Sequence, residues 1–582
     1  MCGIAGTINM PSVTKRDVQK MVSSIRHRGV DEAGVEKMGR CILGHVRLAV
    51  VDPENGHQPM SNQSDKIWVT FNGEIYNFVE LRKELKAKGY VFKSRCDTEV
   101  LVHLWEEEGE QMLQRLNGMF AFFLWDSRYD KGILVRDRQG LKPCFVAEHA
   151  GGYAYSSEMK AILTLPGFKR EVNDEALKEV FCFNYALPNH TCFKKISPLA
   201  PGHYLLFEGD KKPQEKKYWE WPFFAEKRAS SHDELESLLD DAIRLQMRFD
   251  VKGGAYLSGG VDSSVITRRL VEQWNEETLP TIGLNFSESV YSEYEYSQQA
   301  ATTIGANLDE ALISAEMIPQ IAEKVSYHAE QPHGDFSFFL LYILAQKAHS
   351  ENKIVMFTGD GPDEMLSGFK HNEKFFSNLN DKDFVSGDYF DTISYMTPEI
   401  RSRVLDRDFD NSTADPKHRF EALLEPWKKL TPREQIIAYE CTSLMPGNNS
   451  VKGDRMGACW SIEGRAPFLD HRISEMFIRL SNESKFNSEH GKLFLKSYAN
   501  RYFPNDFIFK KKTMPTTPIG EWIKGPLYSW AYDILASNKD NRFNTKNILS
   551  MLRDHKAGAQ NYTKELRTLL MTQLWMKNYF AG

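Results

Sequence analysis

The sequence predicts two successive domains of different class: an α+β domain, then an α/β domain with a parallel sheet and a helical C-terminal part. Three observations predict it. Short β-prone runs dominate roughly the first two hundred residues. From about residue 230, isolated apolar runs each lead through a loop into a helical pattern. Beyond about residue 390 the periodicity is mostly helical.

In the first domain the strand runs are residues 2–9, 41–52, 67–71, 119–125, 132–135 and 153–156. Several are apolar at nearly every position, which calls for cover on both sheet faces. Turn formers break them, Pro53-Glu54-Asn55-Gly56 and Asn72-Gly73 among them. Helical patterns over residues 78–88 and 98–107 interrupt the strands, with Asp97 as the expected N-cap of the second. The charged stretch 208–217 reads as the linker, giving domains over residues 1–210 and 230–582. In the second domain the runs 253–257, 281–286 and 353–358 are the expected strands of a doubly wound parallel sheet.

The formal net charge of −6 gives no electrostatic case for nucleic acid or an anionic membrane as partner. The eight cysteines form no CxxC pair and read as reduced intracellular thiols rather than a disulfide or zinc framework. No basic-then-apolar leader opens the chain, and the apolar runs 119–125 and 338–344 are too short to span a bilayer. A cytoplasmic location is the expectation.

The sharpest motif is Ser258-Gly259-Gly260-Val261-Asp262-Ser263-Ser264, which follows an apolar strand and opens a helix. Glycines admit phosphate close to the backbone, hydroxyls donate to its oxygens, and a helix N-terminus favours anions. Simple turn chemistry would explain a Gly-Gly pair but not the whole heptapeptide. There is no Walker lysine, so this is not the usual loop for γ-phosphoryl transfer. A second loop, Thr358-Gly359-Asp360-Gly361-Pro362-Asp363-Glu364, follows another strand. Loops at the carboxyl ends of neighbouring parallel strands meet at one crevice, which would bring Asp363 to Asp262 as a pair for Mg²⁺.

Cys2 is the other candidate. If Met1 is trimmed, thiol and α-amino base belong to one residue, an activated nucleophile without a separate partner. A lone cysteine at position 2 would be incidental, but Cys2-Gly3-Ile4-Ala5-Gly6 is accompanied by Arg26-His27-Arg28-Gly29, His45-Val46-Arg47, Asn72-Gly73-Glu74 and Asp97-Thr98-Glu99. Amide hydrolysis needs an oxyanion hole, which the Asn72 amide and the Gly73 N–H could supply. Glutamine's α-carboxylate and α-ammonium call for a cation and anions: Arg47 with Glu74 and Asp97.

With 136–143 (Arg-Asp-Arg-Gln-Gly-Leu-Lys-Pro), 157–161, 454–456, 463–470 and 518–522, these motifs make the chain similar to the glutamine-hydrolysing asparagine synthetase family over nearly its whole length. The resemblance implies an N-terminal-nucleophile (Ntn) glutaminase domain of layered αββα type, joined to an ATP-pyrophosphatase synthetase domain. It implies Cys2 as nucleophile and Arg47, Leu48, Ala49, Val50, Val51, Asn72, Gly73, Glu74 and Asp97 around glutamine. Leu257, Ile282, Thr358 and Gly359 would contact adenosine, and Ser258, Gly259, Gly260, Asp262, Ser263 and Ser264 would hold pyrophosphate. Asp262 and Asp363 would bind Mg²⁺, Lys512 would stabilise charge at the adenylating phosphate, and Asp360 would aid adenylation or accept a proton. Glutamine, ATP and a carboxylate acceptor, aspartate first, are the implied substrates, and a homodimer is compatible with the family.

The chain departs from the family at Val30, Lys496, Pro362 and the segment Lys510-Lys511-Lys512-Thr513-Met514-Pro515, where the family has glycine and phenylalanine after the lysine. These changes bear on acceptor identity, so a peptide, a uronic acid or a natural-product precursor stands as the alternative acceptor. A catalytically dead scaffold is opposed by intact Cys2, Asp262, Asp363 and Lys512. A phosphoribosyl amidotransferase should lack the 258–264 loop.

Overall fold

The computed structural model describes residues 1–288, 292, 294–377, 384–510 and 518–580. Lys512, with Lys511 and the rest of 511–517, lies outside the described residues.

The N-terminal part stacks two six-stranded antiparallel sheets face to face. One contains Gly3–Ile8 between Cys41–Arg47 and Gly152–Ser156; the other contains Ile67–Ile75, Gly118–Asp126 and Lys131–Arg136 side by side. Residues from both sheets, among them Ile4, Leu43, Tyr155, Phe123, Trp125, Leu134 and Phe207, make the dry layer between them. The helix Lys15–Ser24 covers the outer face of the first sheet through Val18, Met21 and Val22. Phe78–Ala87 and Glu99–Glu108 cover the second through Phe78, Leu81, Leu85, Val100, Leu101 and Leu104. With both faces of each sheet buried, the strands read as continuous apolar runs, and the result is the expected αββα layering.

The C-terminal part is built on a five-stranded parallel sheet in the order Asn307–Ile313, Pro280–Phe286, Gly253–Tyr256, Val355–Phe357, Glu463–Arg465. The strand order reverses between Gly253–Tyr256 and Val355–Phe357, with Ala255 opposite Phe357. This switch point is where ligands bind in open α/β sheets. The two motif loops leave the carboxyl ends of these two strands.

Four expectations need correction. Residues 208–217 are not a linker: His203–Glu208 and Gln214–Lys217 form an antiparallel hairpin at the edge of the second sheet. Asn72 and Gly73 are not in a turn but inside the strand Ile67–Ile75, opposite Ala121 and Phe120. Asp97 is not the N-cap of the helix Glu99–Glu108. Thr98 holds that position, and the Asp97 carboxylate instead accepts the Ile75 N–H at 2.8 Å. The run 41–52 ends as a strand at Arg47. Among the described residues no helix is long and apolar enough to cross a membrane.

Candidate active sites and the cavity between them

Cys2 stands just before the strand Gly3–Ile8, with its thiol 3.6 Å from the Leu48 carbonyl. The buried Arg28 fixes its backbone, Nε donating to the Cys2 carbonyl at 2.9 Å. With Met1 attached, burial pushes the thiol pKa up to about 11. Such a thiol is a weak nucleophile near neutrality. Removal of Met1 would place an α-amino base on Cys2 itself.

Asn72 and Gly73 reach the site because Ile67–Ile75 crosses behind Gly3–Ile8. The Ser157 hydroxyl ties the strands, accepting the Ile4 N–H at 3.0 Å and lying 3.5 Å from the Asn72 amide nitrogen. Gly73 has φ +142, and a Cβ there would come 2.0 Å from the Met119 carbonyl oxygen, so only glycine fits. Arg47 closes the wall: its guanidinium donates to the carbonyls of Pro53 (2.8 Å) and Asp52 (2.7 Å), folding the segment after Val51 back on itself. Ala49 and Val50 are anchored in turn, the Ala49 N–H on Asp31 at 2.7 Å and the Val50 carbonyl on the Asp250 N–H at 2.9 Å.

Glu74 and Asp97, the expected anions, are both buried. Burial, reinforced by Glu463, pushes the Glu74 carboxyl well above its ordinary range, against the pull of Arg465. Asp97 is raised to about 6, by burial first and against the Ile75 N–H. Glu463 and Arg465 belong to the second domain, and no role for them in this pocket was legible from the sequence.

At the second site, the loop after Gly253–Tyr256 is internally braced. The hydroxyls of Ser258 and Ser263 lie 2.9 Å apart, and the Gly260 N–H donates to Ser258 Oγ at 3.3 Å. Asp262 and Ser263 fall in the first turn of the helix Val261–Gln273, so the N-terminus faces the loop. Ser264 Oγ and Asp262 Oδ1 are buried without a hydrogen-bond partner. Leu257 and Ile282 are adjacent, the Leu257 N–H donating to the Ile282 carbonyl at 3.0 Å.

The acidic loop meets this one as expected. The Lys492 ammonium lies 2.5 Å from Asp262 and 2.7 Å from Asp363, so one cation bridges both carboxylates. Together with the orphaned Asp262 Oδ1, this donor pair fits a divalent cation such as Mg²⁺. Pro362 sits in the first turn of the short helix Pro362–Met365, where its missing N–H costs nothing. The Thr358 hydroxyl donates to Asp360 at 2.7 Å. Lys510 donates to the Gly259 carbonyl at 2.8 Å and stacks on Tyr296.

Between the sites lies a cavity of about 310 Å³. Met1, Met119 and Leu141 of the N-terminal domain line it together with Leu340, Leu344, Ala466 and Leu469 and with Ser258, Thr358 and Asp360 of the second. Of the run 118–125 only Met119 lines it, and residues 120–125 are core. Buried ion pairs hold the two halves together around it. Arg28 binds Asp454 through two nitrogens (2.8 and 3.1 Å) and Glu158 at 2.9 Å, while Arg455 reaches Glu158 at 3.2 Å and Glu330 at 2.7 Å. The sequence offered Arg28, Glu158, Asp454 and Arg455 in motifs, but neither Glu330 nor this pairing.

Comparison with known proteins agrees with the geometry. A glutamine amidotransferase domain family matches residues 1–219, and the asparagine synthase family matches residues 234–577. Asparagine synthetase (glutamine-hydrolyzing) 1 of Bacillus subtilis is 27% identical over 99% of this chain and 96% of its own length. Asparagine synthetase (glutamine-hydrolyzing) 3 of the same organism is 29% identical over 94% and 91%. A putative asparagine synthetase (glutamine-hydrolyzing) 2 of Methanocaldococcus jannaschii is 31% identical over 63% and 76%. The chain belongs to the asparagine synthase family, with a glutamine amidotransferase domain at its N-terminal end.

Proposed function

We propose that the chain is a glutamine-dependent asparagine synthetase, in which ammonia made at Cys2 amidates an aspartate carboxylate activated by ATP. The observation that carries this reading is the shared cavity: Met1, next to Cys2, with Met119 and Leu141 at one side and Ser258, Thr358 and Asp360 at the other line one largely apolar space.

In the first half-reaction the α-amino group of a processed Cys2 takes the thiol proton, and the thiolate attacks the glutamine side-chain carbonyl. The oxyanion is received by the Asn72 amide and the Gly73 N–H. Ammonia leaves, and water releases glutamate from the thioester. Ammonia that met bulk water would be protonated and lose its nucleophilic pair; the apolar passage keeps it neutral.

In the second, an oxygen of the acceptor carboxylate attacks the α-phosphorus of ATP and pyrophosphate departs. The 258–264 loop and the N-terminus of its helix hold the leaving pyrophosphate. Mg²⁺ held by Asp262 and Asp363 would neutralise phosphate charge there. Ammonia then attacks the activated carbonyl carbon, AMP leaves, and a carboxylate such as Asp360 takes the surplus proton.

The test is pyrophosphate release with ATP, glutamine and a panel of carboxylic acids. Aspartate should stand out, with amide and AMP formed in equal amounts. Strong turnover of a peptide, a uronic acid or another precursor, with aspartate inert, would move the assignment to that acceptor.

A further inference from the structure

The glutamine pocket is not made by the N-terminal domain alone. The strand Glu463–Arg465 lies at the edge of the synthetase sheet, and its Arg465 side chain is fully buried. The guanidinium is 2.8 Å from Glu463 Oε1 through Nη2 and 3.3 Å from Glu74 Oε1 through the same nitrogen. It also donates to the Arg248 carbonyl at 3.3 Å and lies against the rings of Tyr76 and Phe249. The same residue reaches the other site through its backbone: the Arg465 carbonyl accepts the Thr358 N–H at 2.8 Å, at the first residue of the acidic loop.

We infer that Arg465 is a positioning residue for glutamine: shared between Glu463 and Glu74, it aims the Glu74 carboxylate and favours its ionised form while leaving it charge enough for the substrate's α-ammonium. The division of contacts supports this. Glu463 takes the shorter and double contact, through Nε at 2.9 Å and Nη2 at 2.8 Å, so Glu74 is only partly neutralised. A carboxylate with no cation in so dry a place would take up a proton and lose its hold on an ammonium. This rests on the reading that glutamine binds beside Glu74.

The experiment compares glutaminase kinetics with ammonia-dependent pyrophosphate release in the full chain. Arg465→Met should raise the glutamine KM about tenfold or more, the scale of one lost charge-assisted contact. Ammonia-dependent release should stay within about twofold, because the Thr358 contact is made by backbone. Arg465→Lys should restore much of the KM. Glu463→Gln, a milder change, should also raise the KM, since Arg465 would then pair wholly with Glu74. An unchanged glutamine KM in the Arg465 and Glu463 variants would overturn the inference. So would equal losses in both reactions, which would make Arg465 a strut of the sheet only. A wild-type chain without glutaminase activity would instead sink the functional reading, independently of Arg465.

Discussion

Gly359 packs directly on the backbone of Ser263: a Cβ built on Gly359 would stand 2.5 Å from the Ser263 amide nitrogen. Two loops from two parallel strands therefore touch without a side chain between them, and that contact sets the distance between Asp262 and the acidic loop. Gly359→Ala should force them apart, because the opposing atom is backbone and cannot rotate away. Overpacking of this kind costs about 1–3 kcal/mol, about five- to 150-fold in rate if it falls on the transition state. Acceptor-dependent pyrophosphate release should drop by that factor while glutaminase activity is kept.

Cys2→Ala should abolish glutamine use but leave ammonia-dependent amidation largely intact, because the proposed synthetase site lies on the 258–264 and 358–364 loops, away from Cys2 in the chain. Amide formation with glutamine and with ammonium salts, measured side by side, checks this. Nitrogen still drawn from glutamine would refute the nucleophile.

Asp262→Asn and Asp363→Asn each remove one of the two carboxylates bridged by Lys492. Each should suppress pyrophosphate release by about a hundredfold or more, since the charge that neutralises the phosphates loses a ligand. Raising Mg²⁺ should recover part of the loss in a metal-site variant and none if the residues merely fold the loop.

Asp97 should govern the acid side of glutamine use. Burial raises its pKa to about 6, so it is protonated below that pH and ionised above it. Only the ionised form attracts glutamine's α-ammonium, and kcat/KM for glutamine should therefore fall as pH drops through about 6. Its folded pKa lies above its unfolded one, so this group's contribution to stability declines, rather than grows, as pH rises from about 4 to about 6. Asp97→Asn should lower kcat/KM and flatten the acid limb, with ammonia-dependent activity keeping its own profile.

The sequence by itself determined the two domain classes, and it offered Cys2 and the two loops after the parallel strands as candidates. These are local: each motif carries its own turn chemistry, and the apolar runs declare strands wherever sheets are covered on both faces. Tertiary structure decided the rest. Asn72-Gly73 has turn composition but lies mid-strand, because the neighbouring strand's Met119 carbonyl approaches too closely for a side chain. Asp97 looks like a helix cap but is recruited by Ile75 from another element. The second strand of the hairpin, Gln214–Lys217, was too charged to read as sheet, although strand pairing needs only backbone. The strand Glu463–Arg465 was the least legible: two of its three residues are charged, and an edge of charged residues signals surface. Only the fold shows them buried, because one of the two carboxylates that make Arg465 tolerable inside, Glu74, is nearly four hundred residues away in the chain and 3.3 Å away in space.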